Sequence, residues 1–179
     1  MRMNARMSEF FEAVEHIAQE EDVPDPFRAI IRAGWVAEGD AQLLTALFSG
    51  YSGTPLTEFD DVIHYEATVN GRGMMDYDLP ESGPERRKTL LRRCLGYTCT
   101  ALLAVPESHL WPVSGYISLS EGGLEDDLLT AHVTFCSARP GLPRYVDDME
   151  SYKHEALLEV SQDDAKALLK KSGTGSRRD

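Results

Sequence analysis

The stretch between Pro84 and Pro106 constrains the fold most. Leu90, Leu91, Cys94, Leu95, Thr98, Ala101 and Leu102 recur there at helical spacing, the stripe that an α-helix buries. A proline is tolerated in the first helical turn, where its missing N–H is not needed, and Pro106 cannot continue the helix. The spacing predicts one long helix over 84–104, with Arg86, Lys88, Arg92 and Arg93 mainly on its outer side. Around it the period changes. Val113, Gly115, Ile117 and Leu119 alternate with polar residues, as do Leu129, Ala131, Val133 and Phe135. This is the pattern of a half-buried antiparallel hairpin, joined here through Gly122-Gly123. Ala156, Leu158 and Val160 predict a last strand. Upstream, Ile63, Tyr65, Ala67 and Val69 alternate with His64, Glu66 and Thr68, which reads as another strand. A three-residue turn at Asn70-Gly71-Arg72 then pairs Ala67 with Met75, Tyr65 with Tyr77 and Ile63 with Leu79, keeping apolar residues on one side. The expected class is α+β: an antiparallel sheet of about five strands, two hairpins plus a C-terminal strand, with helices packed on one face.

The N-terminal part reads as helical. Met7, Phe10, Phe11, Val14, Ile17 and Ala18 predict a helix over 7–21. Asp25 and Pro26 open a second, whose stripe runs Phe27, Ile30, Ile31, Gly34 and Trp35. Gly39-Asp40 breaks it before a short third helix carrying Leu43, Leu44, Leu47 and Phe48. Near the end, Ser161 and Asp164 form a capping-box pattern for a helix through Leu169. The length suits one domain over 1–171, with N-terminal helices in 7–48 and the sheet-containing part in 60–171. Residues 172–179 read as a flexible polar tail.

Charge sets the expected partners. Thirty acidic side chains against 18 basic ones give a net charge of -12. Such a chain is repelled by phosphate backbones and anionic lipid surfaces and attracted to basic proteins. Neither nucleic acid nor membrane is therefore an expected partner. No apolar run approaches membrane-spanning length, and the start of the chain lacks an apolar signal core, so a cytoplasmic protein is expected. Cys94, Cys99 and Cys136 have neither zinc-site nor disulfide-framework spacing and read as buried thiols. No cofactor is expected.

Two candidate sites emerge. The predicted hairpin register sets His64 opposite Asp78 and Glu66 opposite Asp76. One imidazole and three carboxylates so gathered could bind a divalent metal or move protons; the plainer reading is the solvated side of a sheet. The second candidate is His132, in His132-Val133-Thr134, on the polar side of its strand with Thr130 and near Tyr116 and Ser118. His132-Val133-Thr134 resembles one half of a two-histidine phosphoesterase site, which implies action on phosphate esters. Its only counterpart, His64-Tyr65-Glu66, has Glu in place of Thr. The main expectation is a binding protein of inhibitor or immunity type, or chaperone-like, in which Glu66, Asp76 and Asp78 meet a basic partner. The order of elements is weakly similar to that of bacterial secretion chaperones, which are usually dimers, so a homodimer is compatible. The competing expectation is a metal- or histidine-dependent hydrolase using His64, His132 and Thr134, with Glu66, Asp76 and Asp78 as further metal ligands. Convergence of His64 and His132 in one concavity would favour the hydrolase.

Overall fold

A computed structural model describes residues 1–12, 19–121 and 128–173 of the chain. Its frame is an antiparallel five-stranded sheet. β1 (Arg2–Met3) pairs with β7 (Glu155–Ser161), followed in space by the central β5 (Val113–Glu121), β6 (Leu129–Ser137) and the two-residue β4 (Arg72–Gly73). β5 and β6 pair from Val113↔Ser137 to Glu121↔Leu129, and β5 pairs with β7 from Ser114↔Ser161 to Ser120↔Glu155. Their alternation divides the sheet into two sides. Ile117, Leu119, Val133, Phe135, Leu158 and Val160 face the main core. Ser118, His132, Tyr116, Thr134 and Leu157 face the other way, since successive strand residues point to opposite sides.

The long helix α5 (Pro84–Leu103) covers the core side, joined by α1 (Ala5–Glu12), α2 (Asp25–Ala33) and α6 (Gln162–Gly173). Its stripe is buried as the spacing predicts. Tyr97 meets Phe27 edge-on at 4.8 Å and Phe135 at 5.5 Å. Arg86, expected on the outer side, is 3% exposed. It donates to the carbonyls of Leu129 and Pro80 at 2.9 and 3.1 Å and to the Asp76 carboxylate. α6 starts at the expected capping box. The Ser161 N–H and hydroxyl bond Asp164 at 2.9 and 2.6 Å, and the Asp164 N–H returns to Ser161 Oγ at 3.2 Å.

Two expectations fail. Residues 62–69 are not a strand but helix α4 (Val62–Val69), and no hairpin turns at Asn70-Gly71-Arg72. Asp61 caps α4 by accepting the His64 N–H at 2.8 Å. Ile63, Tyr65, Glu66, Ala67 and Val69 are all buried, because α4 is wedged between the sheet and a second hairpin. The alternation reflected a helix buried nearly all round. That second hairpin is the other surprise. β2 (Trp35–Glu38) and β3 (Ala41–Leu44) replace the end of the second predicted helix and the start of the third. Gly34 stops α2 at φ 74° and Gly39 turns the hairpin at φ 56°, backbone conformations that glycine adopts without steric cost. Only α3 (Thr45–Ser49) remains of the third helix. Of the first predicted helix, residues 13–18 lie outside the described residues, and 20–22 form a 3₁₀ turn. The Gly122-Gly123 loop and residues 174–179 of the predicted tail also lie outside them. Ser172 and Gly173 belong to α6. Among the described residues no helix is long and apolar enough to cross a membrane.

α4 binds its neighbours through polar side chains. Asn70 accepts from the Leu44 N–H at 2.8 Å and donates to the carbonyls of Gln42 and Phe135 at 3.0 Å each. One helix turn earlier, Glu66 accepts from the Gln42 N–H at 2.8 Å and from the Ser137 N–H and hydroxyl at 2.6 and 2.7 Å. Both residues are fully buried. They satisfy backbone groups of β3 and β6 that burial would otherwise leave unpaired.

Candidate functional site

The four-residue cluster expected around His64 is not assembled, because the hairpin that would join it does not exist. Glu66 points into the protein, where Arg139 donates to it at 2.8 Å. Asp76 is held by buried Arg86. Asp78 is bound in bidentate fashion by Arg93 at 2.6 and 2.8 Å, and this bond pulls its pKa down to about 2. Both aspartates are therefore committed to fastening residues 74–80 onto α5. Among the described residues no group of three or more His, Cys, Asp or Glu side chains is arranged to hold a metal ion. The three cysteines are buried and unpaired.

His64 and His132, in contrast, do come together. The side of the sheet away from α5 is only partly covered. α4 and residues 139–152 cover Tyr116, Cys136 and Leu157, forming a second apolar cluster with Ile63, Ala67, Val146 and Met149. Beyond the edge of that cover lies a cavity of about 470 Å³, with both histidines on its walls beside Tyr116, Ser118, Thr134, Tyr145, Tyr152 and Glu155. Strand register explains part of this grouping. Ser118 stands directly opposite His132, and Tyr116 opposite Thr134. The rest comes from elsewhere in the chain. His64 lies on α4, Tyr145 and Tyr152 in the irregular connection, and Glu155 at the first position of β7.

The polar groups are individually oriented. Asp61 accepts from His64 Nδ1 at 2.9 Å while also capping α4, so one carboxylate fixes both the helix start and the ring. Burial opposes ionisation of Asp61, but the hydrogen bonds from the His64 backbone and ring outweigh it, and the net pKa is lowered. With Nδ1 bound to Asp61, the His64 ring presents its Nε2 away from that carboxylate. Tyr145 meets the His64 ring at 5.7 Å and the Tyr116 ring at 5.2 Å, both edge-on. Burial raises the pKa of both phenols further above their ordinary value, and for Tyr116 the neighbouring Glu159 carboxylate, to which its hydroxyl is directed, adds to the rise. Glu155 accepts from the Ser118 hydroxyl at 2.9 Å. Buried Asn4 fixes its backbone, donating to the Glu155 carbonyl at 2.8 Å.

His132 is open to solvent at the mouth, yet the surrounding walls displace enough water to lower its pKa, with the Glu155 charge opposing. Gly71 leaves room for its ring. A Cβ on Gly71 would lie 3.0 Å from His132 Cε1 and 2.9 Å from the Ala67 carbonyl oxygen. Gly73, the backbone partner of His132 on β4, has nothing within 4 Å of where a Cβ would lie.

This arrangement departs from a two-histidine phosphoesterase site. The Thr134 hydroxyl donates to the Ala67 carbonyl, so its proton is not directed at a ligand. Among the described residues lining the cavity there is no lysine or arginine, and there is Glu155. The walls therefore offer two imidazoles, neutral phenols and one carboxylate. Such a set can exchange protons with a bound molecule but has little to neutralise a phosphate. Sequence reasoning found His64, His132, Tyr116 and Ser118. It missed Asp61, whose signal was its position three residues before His64, and Glu155, which continues the outward alternation of β7. Comparison with known proteins gives no match: no family model, no curated protein and no solved structure aligns with the chain.

Proposed function

We propose that the half-roofed side of the sheet is a binding site for a small polar molecule, on which His64 and His132 act as acid and base. One observation carries this reading: both imidazoles stand on the walls of one cavity of about 470 Å³, within the usual size range of small-molecule sites. The Asp61–His64 pair supplies an oriented base. His132, with its lowered pKa, supplies a second group that is neutral near pH 7 and able to gain and return a proton. The test is a fragment screen followed by NMR of the histidine ring signals, with His64→Asn and His132→Asn variants assigning each resonance. Fragments that move both ring signals together support a shared site. Fragments that bind elsewhere and leave both rings unmoved refute it.

The net charge of -12 favours a second reading, an inhibitor or chaperone-like protein for a basic partner. That reading no longer draws on Glu66, Asp76 and Asp78, which bond within the chain. Its support is the field of the remaining exposed carboxylates. Salt-sensitive capture of one basic protein that leaves the two histidine rings undisturbed would support it over the first.

A further inference from the structure

Glu155 stands apart from the other sheltered carboxylates. Asp22, Asp61, Glu66, Asp76, Glu159 and Asp164 are each buried or half-buried, and each has an arginine, the chain amino group or a histidine within ion-pair distance. Glu155 is half-buried too, yet among the described residues its one hydrogen-bonded side-chain partner is the neutral Ser118 hydroxyl, on one of its two oxygens. A sheltered carboxylate without a cation is costly unless something else compensates it. Here it lies on the wall of an open cavity rather than in a sealed core.

From this we infer that the ligand of the cavity is an organic cation carrying an ammonium group, bound between Glu155 and tyrosines of the same cavity; the inference rests on the small-molecule site proposed above. Tyr116, Tyr145 and Tyr152 line the same cavity, and neutral aromatic faces attract ammonium groups, the more so when water is displaced. An anion would meet Glu155 with no lysine or arginine among the described lining residues to offset it, and with the Thr134 proton already used. The charge of the whole molecule acts in the same direction, raising the local concentration of cations around a chain of net charge -12.

The test is a matched series in which size is held and charge varied. Butylammonium, butanol and butyrate, with tetramethylammonium as a quaternary probe, are titrated into the full chain and followed by NMR of the histidine and tyrosine rings. The expected result is saturable binding of the cations at the cavity, at least tenfold tighter than butyrate and weakened by added salt. Glu155→Gln is expected to weaken the cations about tenfold or more and to narrow the gap to butyrate, with Tyr145→Leu as an independent second variant. Butyrate binding as tightly as butylammonium to the unmodified protein overturns the inference without needing either variant. Butanol or butyrate moving both histidine rings while the cations do not would overturn the charge assignment and leave the shared site standing. If no probe or fragment moves either ring, the site and its ligand class fall together.

Discussion

Glu66→Gln is the sharpest test of how α4 is held, because the change removes a charge and almost no volume. The carboxylate is 0% exposed and faces Arg139, whose side chain is 7% exposed, at 2.8 Å. One oxygen accepts from Gln42 N–H and Arg139, the other from Ser137 N–H and hydroxyl. Every partner can donate, so an amide NH₂ on either side must face a donor. Arg139 would also lose its counter-charge. Charge-assisted bonds are worth about 1.5–3 kcal/mol each, but four of them do not add, because the site relaxes as a unit. Removing one partner of a buried ion pair costs about 3–5 kcal/mol. We take about 4 kcal/mol, a large share of the roughly 5–15 kcal/mol of a typical domain. With a urea slope of about 2 kcal/mol per M, the midpoint should fall by about 2 M. The assay is equilibrium urea unfolding followed by tryptophan fluorescence and circular dichroism together, with Glu66→Gln/Arg139→Met as the companion. Removing the stranded cation should recover part of the loss. A midpoint within about 0.5 M of the unmodified protein, which is about 1 kcal/mol on the same slope, would refute the reasoning.

Three further outcomes are expected. Gly71→Ala should displace the His132 ring signals and cost about 1–3 kcal/mol, because its Cβ would lie 2.9 Å from a backbone oxygen and 3.0 Å from the ring. Gly73→Ala, with nothing within 4 Å of its Cβ, should do neither; equal effects on ring signals and melting temperature would contradict this. Gly115→Ala should lower the melting temperature, because its Cβ would lie 2.4 Å from Thr98 Cγ2 where β5 meets α5. Thr98→Ser removes that methyl group and should recover most of the loss, so a double variant no better than the single one would count against this contact. Asp78 has a folded pKa lowered to about 2 by its Arg93 bond, against roughly 4 when unfolded. Its contribution is therefore full above about pH 4 and lost as pH falls through about 2. Asp78→Asn should flatten the pH dependence of the urea midpoint in that window, and parallel profiles would remove the basis for the claim.

The parts of the fold legible in the sequence are those where one side of an element is apolar and the other is not. α5, β5, β6, β7 and the α6 cap meet that condition, and the alternation of β5 and β6 already placed Ser118 and Tyr116 near His132. α4 does not meet it. Ile63, Tyr65, Ala67 and Val69 alternate like a strand, yet Glu66 and Asn70 are buried as well, in bonds to β3 and β6 that no periodicity announces. The local signal against a strand was Asp61, three residues before His64 and in capping position. A similar signal lay in Gly34 and Gly39-Asp40, which punctuate β2 and β3, while Trp35 continued a helical stripe and masked it. Arg86 was misplaced for a related reason. It is a charged residue buried by partners, Asp76 and the carbonyls of Leu129 and Pro80, that are distant in sequence or irregular in structure.

The site depends on what the misread helix does to the sheet. Without α4 and residues 139–152, the row of Ser118, His132 and Thr134 would be the solvated side of an antiparallel sheet, where polar residues need no further explanation. The roof is apolar where it touches Tyr116, Cys136 and Leu157. It stops short of Ser118, His132 and Glu155, which are left in a cavity rather than on an open surface. The same roof carries in His64, already oriented by the aspartate that caps its helix. Partial cover is what changes the chemistry: it lowers the pKa of His132 and raises those of the Tyr116 and Tyr145 phenols. It also leaves Glu155 half-buried with no cation within ion-pair distance among the described residues. Full cover would have demanded an arginine there, as Arg139 answers Glu66, and full exposure would have let water screen the charge. The intermediate position of Glu155 leaves its neutralisation to a molecule from solution.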